Sequence, residues 1–165
     1  MIRNSSWSPI AVLGGIAGLA GGIAETAWVL LLSAAGLLNA SDVAIGVSAT
    51  LLPGTYGTAT GIVLGLVIHF GLSVVLGMTL AAMWEGIIGT HRSRTWLAPF
   101  LFAALATVWA VNFHIVLPVI NPQFVLLVPI PLALISKLLF AGAMLVTARG
   151  LERTKELSPA IEERD

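Results

Sequence analysis

Four ionisable side chains stand inside stretches that are otherwise apolar: Glu25, His69, His114 and Lys137. Such groups are costly within a bilayer and turn toward partners or a wet cavity. Three chemistries draw on this set. A carboxylate, an imidazole and an ammonium in a wet half-channel relay protons or hold a small anionic or zwitterionic solute, Lys137 taking a carboxylate and Glu25 an amine. His69 and His114 on adjacent helices make a pair of axial ligands for haem b, provided both lie at nearly one depth. With Glu25 they make the two-histidine, one-carboxylate set of a divalent metal, although no two share a helix at a ligand spacing. The plainer alternative is structural. Glu25 and Lys137 then form a buried ion pair that fixes helix register, each half being expensive alone. His114 reads more simply as an interfacial histidine bonded to a carbonyl, and His91, beside Arg92 and Arg94, as a solvated loop residue.

The chain that carries these groups has 165 residues, 58% hydrophobic and 10% charged, with a mean hydropathy of +0.99. A soluble domain carries about 25% charged residues. The deficit excludes an ordinary soluble globular protein, and eight basic against eight acidic residues leave no field for binding nucleic acid. With zero cysteines there is no disulfide, thiolate metal site, iron–sulfur cluster or cysteine nucleophile. Neither a Gly-x-Ser-x-Gly elbow nor a glycine-rich phosphate loop is present, so a non-enzymatic role is expected.

The elements that must position the four groups follow from charge and turn signals. No Lys, Arg, Asp or Glu occurs from Val43 to Trp84 or from Thr95 to Ser136. A bilayer core about 30 Å thick takes about 20 apolar helical residues per crossing. Apolar runs read against Gly, Pro and Asn punctuation predict four spans, near Pro9 to Leu32, Thr58 to Met83, Trp96 to Leu117 and Pro131 to Ala148. The apolar run after Arg3, about 24 residues, exceeds the roughly 7–15 of a signal core, which favours a retained span over a signal peptide cut near Ala35.

Arg3, Arg92, Arg94, Arg149, Arg153, Lys155 and Arg164 lie at the N-terminus, in the second loop or in the C-terminal tail, and none lies in the first or third loop. Basic residues are retained on the cytoplasmic side, so both termini are expected there. Trp7, Trp84 and Trp96 fall at the same inner boundary, and Tyr56 and Phe124 mark the outer one. In the first outer loop Ser41-Asp42 reads as the N-cap of a short helix to Leu52, stopped by Pro53-Gly54 and lying along the membrane surface. In the third, Asn121-Pro122 reads as N-cap and first turn of a short helix that breaks at Pro129-Ile130-Pro131 and resumes as the fourth span. The tail, with Glu152, Arg153, Lys155 and Glu156 at helical spacings, reads as a solvated helix end.

Gly14, Gly18 and Gly22 on the first span, and Gly57, Gly61 and Gly65 on the second, form two ridges of small residues at four-residue spacing. In lipid such ridges let backbones approach and gain dispersion energy. They serve packing of the first helix on the second, or a homo-oligomer interface. Glu25 returns to within about 20° of the face of Gly14, His69 and Ser73 continue the second ridge, His114 follows Ala106 and Ala110, and Lys137 lies between Ala133 and Ala141. All four ionisable groups therefore share faces with small residues. At about 1.5 Å per residue from the outer boundary, Glu25 lies roughly 10 Å deep, His114 roughly 5 Å, and Lys137 and His69 roughly 10–16 Å. With Asn112, Asn121 and the proline break nearby, they are expected to line a polar pocket open to the outer side.

The stretch Val111-Asn112-Phe113-His114-Ile115-Val116-Leu117-Pro118, then Asn121-Pro122, Ile135-Ser136-Lys137-Leu138-Leu139-Phe140 and Ala24-Glu25-Thr26-Ala27-Trp28, resembles uncharacterised small bacterial four-helix membrane proteins. Some of these carry a sodium/proline symporter label. A sodium-coupled symporter has many more spans and an inverted repeat, so transport would imply an oligomer or a partner here.

The expectation is thus an all-α polytopic membrane protein: a four-helix transmembrane bundle over residues 1–149 with a short outer interfacial helix, and a charged cytoplasmic tail over 150–165. It belongs in the lipid bilayer of a bacterial inner membrane, as a homo-oligomer or in a larger membrane complex, with no nucleic-acid partner. Proton or small-solute movement, or an accessory role, leads. A haem or metal redox subunit and a purely structural subunit are the alternatives.

Overall fold

A computed structural model describes residues 7–55, 57–88 and 93–162, and the backbone alone at 7–8, 87–88 and 152–162. Arg3, Tyr56, His91, Arg92 and Arg164 lie outside the described residues, and the side chains of Trp7, Arg153 and Lys155 outside the description. Among the described residues the chain is all-helical: α1 (Trp7–Ala34), α2 (Ala40–Leu51), α3 (Ala59–Met83), α4 (Leu97–Val111), α5 (Leu117–Ile120), α6 (Pro122–Leu127) and α7 (Ile130–Glu162). Four segments are long and apolar enough to cross a membrane: Pro9–Ala34, Ala59–Gly86, Arg94–Ile120 and Ile130–Leu151. These match the four expected spans, and the molecule is an integral membrane protein by length and apolarity.

The ends of the helices have local causes. α1 stops where Gly36 takes φ 73° and Leu37 N–H donates back to Leu32 O at 3.0 Å, the glycine-terminated C-cap that a side chain would strain. The N-cap of α2 is Asn39, whose side chain accepts from Ser41 N, so the helix begins before the expected Ser41-Asp42 cap. α3 starts at Thr58, whose hydroxyl accepts from Gly61 N at 3.0 Å.

The third span runs past its expected end at Leu117. Between α4 and α5 lies one wide π-turn, Asn112–Val116. Pro118 supplies no N–H and its ring crowds the carbonyl four residues back. An extra residue in the turn takes up that mismatch and lets the helix continue. It ends at Asn121, which is extended in φ at −152°, as a residue before proline prefers. α6 follows from Asn121-Pro122, and after Val128 and Pro129 the chain re-enters helix as α7, the expected interruption. The tail is the expected helix end, its backbone continuing α7 to Glu162.

α1 packs on both α3 and α7, and α4 packs on α7. One apolar cluster, built around Ala17, Leu80, Leu101, Leu105, Phe140 and Met144, joins all four spanning helices. A second, with Val43, Phe113, Leu117, Val128 and Ala133, lies toward the other end, where α2 and α6 close over the spans. α2 packs on α3 and α6 and buries Val43, Gly46, Ser48 and Ala49. It is therefore a packed component of the bundle on one face.

A candidate intramembrane polar site

The polar site is assembled on α1, because that helix is small enough to be approached from two sides. Toward α3, a Cβ on Gly14 or Gly18 would run into Gly77 backbone, and one on Gly22 into the Ser73 side chain. The first glycine ridge therefore receives Ser73, Gly77 and Ala81, a small-residue row further along α3. The second ridge has a different use. A Cβ on Gly65 would strike the Ala44 carbonyl of α2, and one on Gly61 would meet Ile45 and the Thr55 carbonyl. Gly57 stands apart from both, at φ 71° in the turn before α3, with open space around it.

Toward α7, Gly21 leaves room for the fully buried Phe140 ring, and one turn on, Glu25 meets Lys137. Lys137 Nζ is 2.7 Å from Glu25 Oε1 and 2.9 Å from Oε2, while the one proton of Ser136 Oγ is shared between Oε1 at 3.1 Å and the Ala133 carbonyl at 2.9 Å. The Glu25 side chain is 5% exposed and that of Lys137 18%. The carboxylate thus has three donor contacts in a dry setting, the condition under which a buried ion pair is tolerated. The ammonium also stands 5.5 Å from the centroid of the Phe140 ring, within reach of its negative face. Higher on the same seam, Trp28 Nε1 donates to Leu132 O at 3.2 Å, tying α1 to the first turn of α7.

His69 works on the opposite side of α1. Its Nε2 donates to the Gly22 carbonyl at 3.2 Å, an acceptor that requires a proton on that nitrogen. The same carbonyl accepts from Thr26 Oγ1 at 2.9 Å. Ser73 Oγ, one turn along α3, donates to His69 O at 2.8 Å. The structure therefore joins Glu25 directly to Lys137 and sets His69 one turn away, on a different neighbour of α1.

The other candidates stand elsewhere. His114 is exposed in the π-turn, its ring perpendicular to that of Trp109 with centroids 5.3 Å apart. The five-residue step of that turn is what puts the two rings on one side of the helix. Trp109 Nε1 is buried without a hydrogen-bond partner among the described residues. Asn112 is half-buried in the same turn. Asn121 binds α2 instead, donating from Nδ2 to Gly46 O at 3.1 Å and Thr50 Oγ1 at 2.9 Å. Among the described residues no three of His, Asp or Glu gather where a metal ion could be held, so Glu25, His69 and His114 do not form a ligand set in this arrangement.

Ser136, Gly21, Gly77 and the Asn121–Gly46 contact were not singled out by sequence reasoning. Gly77 had a signal, since Ser73, Gly77 and Ala81 extend the small-residue period of α3. Ser136 had a weaker one, a hydroxyl beside an intramembrane lysine. Comparisons with protein-family models, with curated proteins and with solved structures find no match to this chain.

Proposed function

We propose that this chain is a non-enzymatic accessory subunit of a membrane complex, a helical bundle whose intramembrane charges hold its own helices in register. The observation that carries the reading is the closed Glu25–Lys137–Ser136 cluster. Both carboxylate oxygens face the ammonium, and one also receives a hydroxyl. A group meant to hold a solute or pass a proton needs an unspent valence or an adjoining wet path, and this carboxylate is already supplied with donors. The same reading places the chain in a bacterial inner membrane with both termini cytoplasmic, supported by the basic residues at Arg94, Arg149 and Arg153 and their absence from the Leu37–Gly57 and Val119–Ile130 connections.

A second reading, proton or small-solute movement, draws on Lys137, whose side chain keeps 18% of its surface, and on His69 one turn away. Reconstitution separates the two. The purified chain is placed in vesicles with a trapped pH indicator, and Glu25→Leu/Lys137→Met is compared with the wild type. The accessory reading expects no flux above empty vesicles from either and recovery of the wild type with other membrane proteins on mild extraction. Flux that the double substitution abolishes, while the bundle still assembles, replaces it with the transport reading.

A further inference from the structure

At the end of the bundle away from Glu25, the four spanning helices enclose a cavity of about 110 Å³. Its wall includes Ala17 of α1, Leu80 and Trp84 of the α3 segment, Leu101 of α4 and Met144 of α7, and Glu85 stands at its rim. The space is of the order of apolar cavities that take up benzene, about 150 Å³. Water is a poor filler, because a buried water needs two to four polar partners and this wall is alkyl and aromatic apart from Glu85. Hydrocarbon is the medium that surrounds the helices. The cavity is partly open, so part of an acyl chain from that medium can enter.

The rim says which lipid. Glu85 is exposed and makes no ion pair or hydrogen bond among the described residues. Ala148, which also lines the cavity, precedes the exposed Arg149, and Leu97, another lining residue, follows the turn that carries the exposed Arg94. A carboxylate at the rim, with arginines next to or near two lining residues in sequence, complements a zwitterionic headgroup with a primary ammonium and a phosphate. It disfavours a headgroup that is only anionic, and it leaves the trimethylated ammonium of a choline lipid without a donor to offer. We infer that the cavity seats the methylenes nearest the glycerol of one acyl chain of a phosphatidylethanolamine molecule whose ammonium rests on Glu85. The site is independent of the Glu25–Lys137 reading, because it shares no residue with that cluster.

Native mass spectrometry of the full chain in mild detergent tests this, with dioleoyl phosphatidylethanolamine, phosphatidylcholine and phosphatidylglycerol as probes. The single-lipid adduct is expected to favour the ethanolamine lipid by about threefold, the worth of an exposed charge pair. Glu85→Gln should erase that preference, and Ala148→Phe, which narrows the opening, should reduce the adduct for all three lipids. Equal adducts for the three lipids in the wild type, or an unchanged adduct in Ala148→Phe, overturn the proposal. A second measurement does not depend on either variant folding. The Trp84 emission, taken as the difference between wild type and Trp84→Phe, should be strongly quenched in vesicles of chain-brominated phosphatidylethanolamine, and an unquenched Trp84 overturns the proposal.

Discussion

Lys137 Nζ stands 2.7 Å from one carboxylate oxygen of Glu25 and 2.9 Å from the other, so a two-point charge contact joins α1 to α7 across 112 residues of sequence. In that position the pair specifies which turn of α7 meets which turn of α1. A slide by one turn would leave both charges unpaired in an apolar setting. The pair therefore acts on register more than on net stability, since its attraction is largely offset by the desolvation of both ions.

Removing one partner is accordingly worse than removing both. Lys137→Met alone leaves a buried carboxylate without its counter-ion and should cost about 3–5 kcal/mol. Adding Glu25→Leu should restore most of it. Unfolding in mixed detergent micelles, followed by far-ultraviolet circular dichroism, measures the three variants. A double variant as unstable as the single one would remove the register argument.

The glycines divide into those that are approached and those that are not. Gly18→Ala places a methyl on the Ser73 carbonyl and Gly65→Ala places one on the Ala44 carbonyl, both backbone atoms that cannot turn aside. Each should lower stability by about 1–3 kcal/mol, the range for overpacking. Gly71 and Gly142 have nothing within 4 Å of an added Cβ, and alanine there should be neutral or stabilising by up to about 1 kcal/mol. Thermal unfolding of the four variants in one detergent checks the division.

The spans were legible because the bilayer imposes length and apolarity on any helix that crosses it, and because Pro53-Gly54, Asn121-Pro122 and Pro129-Ile130-Pro131 punctuate the chain with backbone chemistry that reads locally; the glycine cap at Gly36 went unread. Glu25 was legible as buried, since an isolated carboxylate in an apolar run has few alternatives. Its partner was legible as well, since the structural alternative paired Glu25 with Lys137 and the structure joins them; the helical wheel hid a change of neighbour along α1. The faces of Gly14 and Glu25 coincide on a helical wheel, yet Gly14 meets α3 and Glu25 meets α7, because crossing helices change neighbours along their length. The second glycine ridge misled in the same way: its period was right, but α2 arrived first and took Gly61 and Gly65. His114 was drawn into the polar group by its small-residue row, whereas the π-turn beside Pro118 rotates the helix by one residue there and leaves the ring exposed.

The two histidines should therefore differ when removed. His69→Ala breaks a cross-helix hydrogen bond to Gly22 O and should cost about 1 kcal/mol. His114→Ala loses only an exposed ring contact with Trp109 and should stay within about 0.5 kcal/mol of the wild type. Detergent unfolding gives both values, and an optical spectrum of protein from a haem-replete host, before and after dithionite, accompanies them. A reducible Soret band that vanishes in His69→Ala would reassign that residue from helix contact to axial ligand.

Orientation is open to direct labelling, because the chain has zero native cysteines. Ser48 lies in the right connection but is fully buried, with its hydroxyl 2.8 Å from that of Thr55, so a cysteine there would report packing rather than sidedness. Leu37, 61% exposed just beyond α1, and Arg149, exposed near the far end of the fourth span, are the better pair. Leu37→Cys should react with a membrane-impermeant maleimide in intact cells and Arg149→Cys only after lysis. Labelling in the reverse order would place the termini outside.

Asn121 makes the last prediction, because one side chain there serves three backbone or hydroxyl groups. Its Nδ2 binds Gly46 O and Thr50 Oγ1 of α2, while Oδ1 accepts from Phe124 N at 3.1 Å and so caps α6. The residue is 5% exposed, and removing its amide strands acceptors and a donor that water reaches poorly. Asn121→Ala should cost about 1–3 kcal/mol. The loss should be local: α2 is held to α6 through this amide and the Phe124 ring over Gly46, but to α3 through Gly61 and Gly65. Amide hydrogen exchange should therefore rise along residues 40–51 and 122–127 while the middle of α1 and α3 keeps its protection. Faster exchange throughout all four spans would mean instead that the α2–α6 layer and the bundle below it unfold as one unit.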